Sequence, residues 1–102
     1  VSQNIKTNEL VVGPKDPDAV LDYTLQWGND IGALYLLLDT IATSTWIVPD
    51  ALTITSQLHT LTTTTVWLAG GLDGSDYEIT NRITTAGGRT DDRTFVLQVR
   101  DR

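Results

Sequence analysis

The stretch that most constrains this chain covers residues 72–85, L-D-G-S-D-Y-E-I-T-N-R-I-T-T. It opens on a turn signal, Asp73-Gly74, and then alternates without a break. Tyr77, Ile79, Asn81 and Ile83 share one parity; Glu78, Thr80, Arg82 and Thr84 share the other. Successive side chains of a strand leave on opposite faces, so this pattern of one wet and one mostly dry face predicts a half-buried strand. The spacing Leu72-x-Gly74-x-x-Tyr77 adds a corner signal. In two-sheet antiparallel sandwiches a Tyr so placed, near the start of a late strand, bonds back to backbone just upstream.

The remaining segments are read against that strand. Residues 1–15 form a polar opening with one apolar patch, Leu10-Val11-Val12, and read as an N-terminal arm or first edge strand. The arm reading has it adding a strand to a neighbouring subunit's sheet. Gly13-Pro14 and Asp16-Pro17 follow, and the stretch 13–17 is expected to be the hinge to the body, residues 16–102. Residues 20–27 alternate cleanly, with Leu21, Tyr23, Leu25 and Trp27 on one side. Residues 31–39 are leucine-rich and stay open between a helical turn and a short strand, or an exposed interface patch, because periodicity does not separate these over so short a run.

Residues 40–48 are β-branched up to Pro49, with apolar side chains on both parities, which predicts a bulge or burial on two sides; Trp46 is expected to anchor the core. In residues 52–58, Leu52, Ile54 and Leu58 are expected inward. In residues 62–69, Val66 and Leu68 are expected inward, which puts Trp67 outward with Thr63 and Thr65 as a candidate contact residue. Ala86-Gly87-Gly88 reads as a hairpin turn, and the last strand, 89–100, turns Phe95, Leu97 and Val99 inward. Across that hairpin Arg82, Arg89 and Arg93 are expected to face Asp91 and Asp92 in a surface charge ladder. About seven short strands, turn signals every ten residues or so, and no convincing helix make an all-β, immunoglobulin-like β-sandwich with an extended N-terminal arm.

Composition closes off several classes of function. A chain of 102 residues is expected to be one domain, and about one residue in six is Thr, as on β-sheet surfaces. With no Cys and one His, neither a thiolate nor a His-based metal site is available. Oxygen-ligand calcium has only Asp73-Gly74-Ser75-Asp76 and Asp16-Pro17-Asp18 to use, and neither matches the twelve-residue calcium loop. His59 stands beside Thr60 without a nucleophile and reads as a surface residue. Gly70-Gly71 and Gly87-Gly88 precede strands rather than helices, so neither is a phosphate loop. The net charge of −6 argues against free nucleic acid as a partner. No long apolar run or signal-peptide pattern points to a membrane. The expectation is a protein that is not an enzyme, with no cofactor and no metal.

Four stretches carry a resemblance: D-P-D-A-V-L-D-Y-T-L-Q-W, D-T-I-A-T-S-T-W-I-V-P, T-V-W-L-A-G-G and N-R-I-T-T-A-G-G-R-T-D-D-R-T-F-V-L-Q-V. They resemble small immunoglobulin-like virion proteins of tailed bacteriophages, the fibre–tail adaptor or neck-region proteins. The likeness covers residues 16–101, is most specific over 81–93, leaves out the first fifteen residues and is weakest over the leucine-rich 31–39. It carries no catalytic residue. It implies a structural adaptor at the neck or tail, a virion component assembled in the host cytoplasm. Its partners would be other phage virion proteins (neck, tail or fibre), with several copies in a symmetric assembly. The candidate partner-binding residues are Leu10, Val11, Val12, Tyr35, Leu36, Trp67, Arg82, Arg89 and Arg93. The alternatives are a capsid decoration protein, which copy number would separate, and a carbohydrate-binding module using Trp27, Trp67 and Tyr35 as stacking platforms.

Overall fold

A computed structural model describes residues 3–5, 11–27 and 39–101. Among these residues there is no helix and there are eight strands: β1 (Gln3–Ile5), β2 (Val11–Lys15), β3 (Val20–Gln26), β4 (Ile41–Ile47), β5 (Leu52–His59), β6 (Thr63–Gly70), β7 (Ser75–Thr85) and β8 (Thr90–Val99). They form two four-stranded sheets, β1-β3-β6-β5 and β2-β8-β7-β4. In immunoglobulin lettering these orders are A-B-E-D and A′-G-F-C. The expected sandwich is therefore present, with the short β1 in addition to the seven strands of the body. All pairings within β3-β6-β5 and β8-β7-β4 are antiparallel, whereas β1 and β2 join parallel to β3 and β8.

The alternation that predicts β7 builds one wall of the core. Ile79, Asn81 and Ile83 are fully buried, and across the hairpin Phe95, Leu97 and Val99 complete that wall. The facing sheet contributes Tyr23, Leu25, Val66 and Leu68, with Trp27 just past the end of β3. Trp46 is buried as expected and meets Phe95 edge-on, ring centroids 6.4 Å apart at 76°. Its indole Nε1 is the one buried side-chain polar atom among the described residues that has no hydrogen-bond partner. Each large apolar side chain so buried contributes roughly 1.5–3 kcal/mol, making this inner layer the main source of stability.

The tyrosine corner is made: the backbone N–H of Leu72 donates to the Tyr77 hydroxyl at 3.0 Å. Ile79, two residues on, holds the place where disulfide-bonded relatives of the fold carry a Cys, and Trp46 lies on the C strand where such folds bury a Trp. Apolar packing here replaces the covalent staple. The hairpin turn closes with Thr85 N–H donating to the Arg89 carbonyl at 2.8 Å, and Gly88 adopts φ +88°, which favours a residue without Cβ.

Two local expectations are corrected. Leu58 is not inward but 53% exposed. The register slips between Ile54 and Ser56, so one extra residue reverses the parity of β5 and puts Leu58 opposite Thr65 on the outer face. The expected hinge at 13–17 is a strand through Lys15, because β2 is paired to β8. Lys15 itself is fully buried, its Nζ donating to the carbonyls of Gly70 at 2.7 Å and Asp16 at 2.9 Å. Burial pushes this ammonium's pKa down, while Asp16 and Asp18 pull it back up. The bulge expected in residues 40–48 is present between Ile41 and Thr43.

Candidate interaction surface

The candidate residues fall on three parts of the sandwich. Val11 and Val12 are on the edge strand β2, where Val11 is 54% exposed while Val12 packs against the core. Trp67 stands outward on β6 as expected, 37% exposed, between Asp22 of β3 and Ser56 of β5. The three arginines sit on or beside the β7–β8 hairpin. Leu10, Tyr35 and Leu36, and with them the stretch 31–38, lie outside the described residues.

The register splits the expected charge ladder across two faces. Arg82 opposes Asp92, and its guanidinium makes two bonds to that carboxylate, Nε–Oδ1 at 2.9 Å and Nη2–Oδ2 at 3.0 Å. This pair lies on the outer face, beside an open depression lined by Arg82, Thr90, Asp91 and Asp92. The bond to Arg82 lowers the Asp92 pKa, and the same bond raises that of Arg82. Arg93 opposes Asn81, so it shares the parity of the buried Phe95. Its guanidinium carbon lies 5.3 Å from the centroid of the buried Trp27 ring while Nη1 holds Asp91 at 3.2 Å. Arg93 thus roofs the end of the core, a cation–π contact between charge and aromatic face. Trp27 is 0% exposed, which removes it as a sugar-stacking platform.

Beneath that roof is a buried polar network that joins the two sheets. The Trp27 Nε1–H donates to Asn81 Oδ1 at 3.0 Å and to Thr64 Oγ1 at 3.2 Å. The Thr64 hydroxyl donates to the same Asn81 oxygen at 2.7 Å. The Asn81 amide nitrogen donates in turn to Ser44 Oγ at 2.9 Å and the Thr45 carbonyl at 3.0 Å. Asn81 was legible as an inward residue of β7, but its partners on β6 and beyond β3 were not.

Asp39 is the functional-looking residue that sequence reasoning missed. It is buried, and its carboxylate accepts from the N–H groups of Thr40 (2.8 Å) and Gly87 (2.9 Å) and from Arg89 Nη1 (2.9 Å). A hydrogen bond from Thr85, then those from Thr40, Gly87 and Arg89, lower its pKa to about 2 against the opposing effect of burial. Arg89, expected in the ladder, is thereby tied to the start of β4. A lone Asp before a β-branched run carries no signal of this in the sequence. The clamp fixes the β7–β8 turn in place and orders the backbone at this end of the sandwich.

Among the described residues no cluster of His, Asp or Glu is arranged to hold a metal ion. Asp16 instead caps its own turn by accepting from the Asp18 N–H, and Asp73 accepts from the Asp101 N–H. Paired arginines and an outward Trp on a two-sheet body give the described residues the form of a structural β-sandwich. The family model for the podophage GP4 fiber-tail adaptor protein gp77 matches residues 15–98, and the chain belongs to that family. It is a bacteriophage structural protein, an adaptor and a component of the virion. No curated protein matches the chain.

Proposed function

We propose that this protein is a non-enzymatic adaptor that binds neighbouring tail and fibre proteins in several copies and so anchors fibres to the particle. The family match over residues 15–98 carries this reading. The surfaces we assign to it are the outer face of the β2-β8-β7-β4 sheet at Arg82, the opposite outer face at Trp67, the exposed Val11 edge and residues 1–10, with Leu10, Tyr35 and Leu36 contributing from the segments not described. Arg82 suits such a role because its two bonds to Asp92 hold a polar ion pair in a fixed place on the exposed face of the hairpin. Assembly would take place in the host cytoplasm, as for other virion components.

The test is assembly in the phage that encodes this chain. Particles made without it are expected to carry tails that lack fibres, and supplying the chain restores them. Mass analysis of complete particles should find on the order of a dozen copies, whereas hundreds would mark a capsid decoration protein. Fibre-bearing particles formed without the chain would end the adaptor reading. Removing residues 1–10, and with them β1, should block incorporation while β2 to β8 still fold as a sandwich.

A further inference from the structure

The four strands β1, β3, β6 and β5 contain no Lys, Arg or Glu, and Asp22 is their one Asp. Asp is disfavoured inside strands, where its short polar side chain competes with the ladder for backbone groups. Tyr23 and Leu25, of the other parity, are buried in the core, so Asp22 leaves toward the outer face, where it is half-buried. Directly across from it on β6 stands Trp67, and side chains so paired have Cβ atoms about 5 Å apart. Val20 on β3 and Leu58 on β5 are diagonal neighbours of Trp67 and are exposed as well. This face is thus an exposed indole with apolar flanks and a single carboxylate beside it.

Elsewhere the chain joins a Trp and an Asp through a cation of its own. At the end of the core the Arg93 guanidinium carbon lies 5.3 Å from the Trp27 ring centroid while Nη1 holds Asp91 at 3.2 Å. Trp67 and Asp22 are the aromatic and acidic members of a like arrangement. Every cation among the described residues is committed elsewhere. Lys15 is held by the Gly70 and Asp16 carbonyls, and Arg82, Arg89, Arg93 and Arg100 pair with Asp92, Asp39, Asp91 and Asp76.

We propose that Trp67 and Asp22 form a receptor for an arginine side chain of a neighbouring protein, its guanidinium stacked on the indole and forked to the carboxylate. Charge and shape select that occupant. A planar guanidinium stacks on an aromatic face while its edge donates to a carboxylate, which a compact ammonium does less well. A chain of net charge −6 also favours a basic partner surface. A glycan fits less well, because small-molecule sites converge several polar groups in a concave pocket, and Trp67 has Val20 and Leu58 beside it on an open sheet face. The proposal deepens the adaptor reading, on which it rests for the neighbour being a tail or fibre protein.

The experiment titrates the purified full chain with the peptide acetyl-Leu-Arg-Leu-amide and follows the indole N–H signals of its three Trp residues by nuclear magnetic resonance. Trp67→Phe identifies the outer signal, and buried Trp27 and Trp46 serve as internal controls. The Trp67 signal alone is expected to shift and saturate. The same peptide with neutral citrulline in place of arginine should leave it still, and the lysine peptide should bind more weakly. Asp22→Asn keeps the size of the side chain and should raise the dissociation constant about fivefold or more, with the Trp27 and Trp46 signals showing that the fold is retained. Equal shifts from the citrulline peptide, no effect of Asp22→Asn, or movement of all three indoles would overturn the proposal. So would a Trp67 shift produced by maltose or N-acetylglucosamine and not by the arginine peptide, which would mark a glycan site. Particles that keep their fibres without this chain would end the adaptor reading and leave the peptide result standing; a silent Trp67 would do the reverse.

Discussion

At the residue scale, Asn81 and Asp39 do more for this fold than their polarity suggests. Asn81 is fully buried and meets four partners from three other segments through both ends of its amide. Asn81→Ala leaves the Ser44 hydroxyl and Thr45 carbonyl short of a donor and the Trp27 indole short of an acceptor. Stranded buried polar groups cost about 1–3 kcal/mol each, with partial relief from remaining bonds, so the expected loss is roughly 3 kcal/mol. Denaturant unfolding followed by tryptophan fluorescence measures it. Asp39 makes a pH prediction. Its carboxyl pKa is about 2 in the fold against an ordinary 3.8, so the folded state binds the proton less readily than the unfolded chain. The stabilisation is present above about pH 4 and is lost as pH falls toward 2. Acid titration of wild type and Asp39→Asn should show the mutant lower in stability near neutrality, with the difference shrinking through that window.

At the scale of the element, β5 and β6 show how far a parity argument reaches. Leu68 lies inward on β6 and is fully buried; Leu58 lies past the β5 bulge and is mostly exposed. Leu68→Ala is expected to cost about 2–5 kcal/mol by lost transfer energy and the cavity left behind. Leu58→Thr, a β-branched and polar replacement on an outer face, should stay within about 0.5 kcal/mol of wild type. Urea midpoints of the two variants decide this, and equal losses would mean that β5 is not bulged in solution. Past the same bulge the second half of β5 leaves the core, and residues 55–59 are all exposed.

For the whole molecule the governing quantity is the net charge of −6. The loops joining the strands at one end carry Asp16, Asp18, Asp50 and Asp73, with Asp76 and Asp101 close by. Of the cations at that end, Lys15 is buried and Arg100 is paired with Asp76. The exposed ion pairs Arg82–Asp92 and Arg93–Asp91 contribute little and lose that little in salt. Like-charge repulsion is spread over the whole surface and outweighs them, so raising NaCl should stabilise the fold. An increase on the order of 0.5 kcal/mol would raise the melting temperature by a few degrees. A thermal melt at low and high salt tests it, and a fall with salt would mean that the ion pairs dominate.

What the sequence by itself determined is what a strand expresses locally. Alternation made β3, β7 and β8 and their inward sets legible; the Leu72–Tyr77 spacing announced the corner; and glycine announced the last turn. Those signals depend on side-chain direction along one strand, and the family likeness was legible for the same reason, residue by residue. Tertiary structure decided what depends on the neighbouring strand. The β5 bulge reversed Leu58; the register of β7 against β8 put Arg82 and Arg93 on opposite faces; and packing between sheets buried Lys15 and linked Trp27, Thr64 and Asn81. Asp39 meets Gly87 and Arg89 only because the chain returns to it nearly fifty residues later.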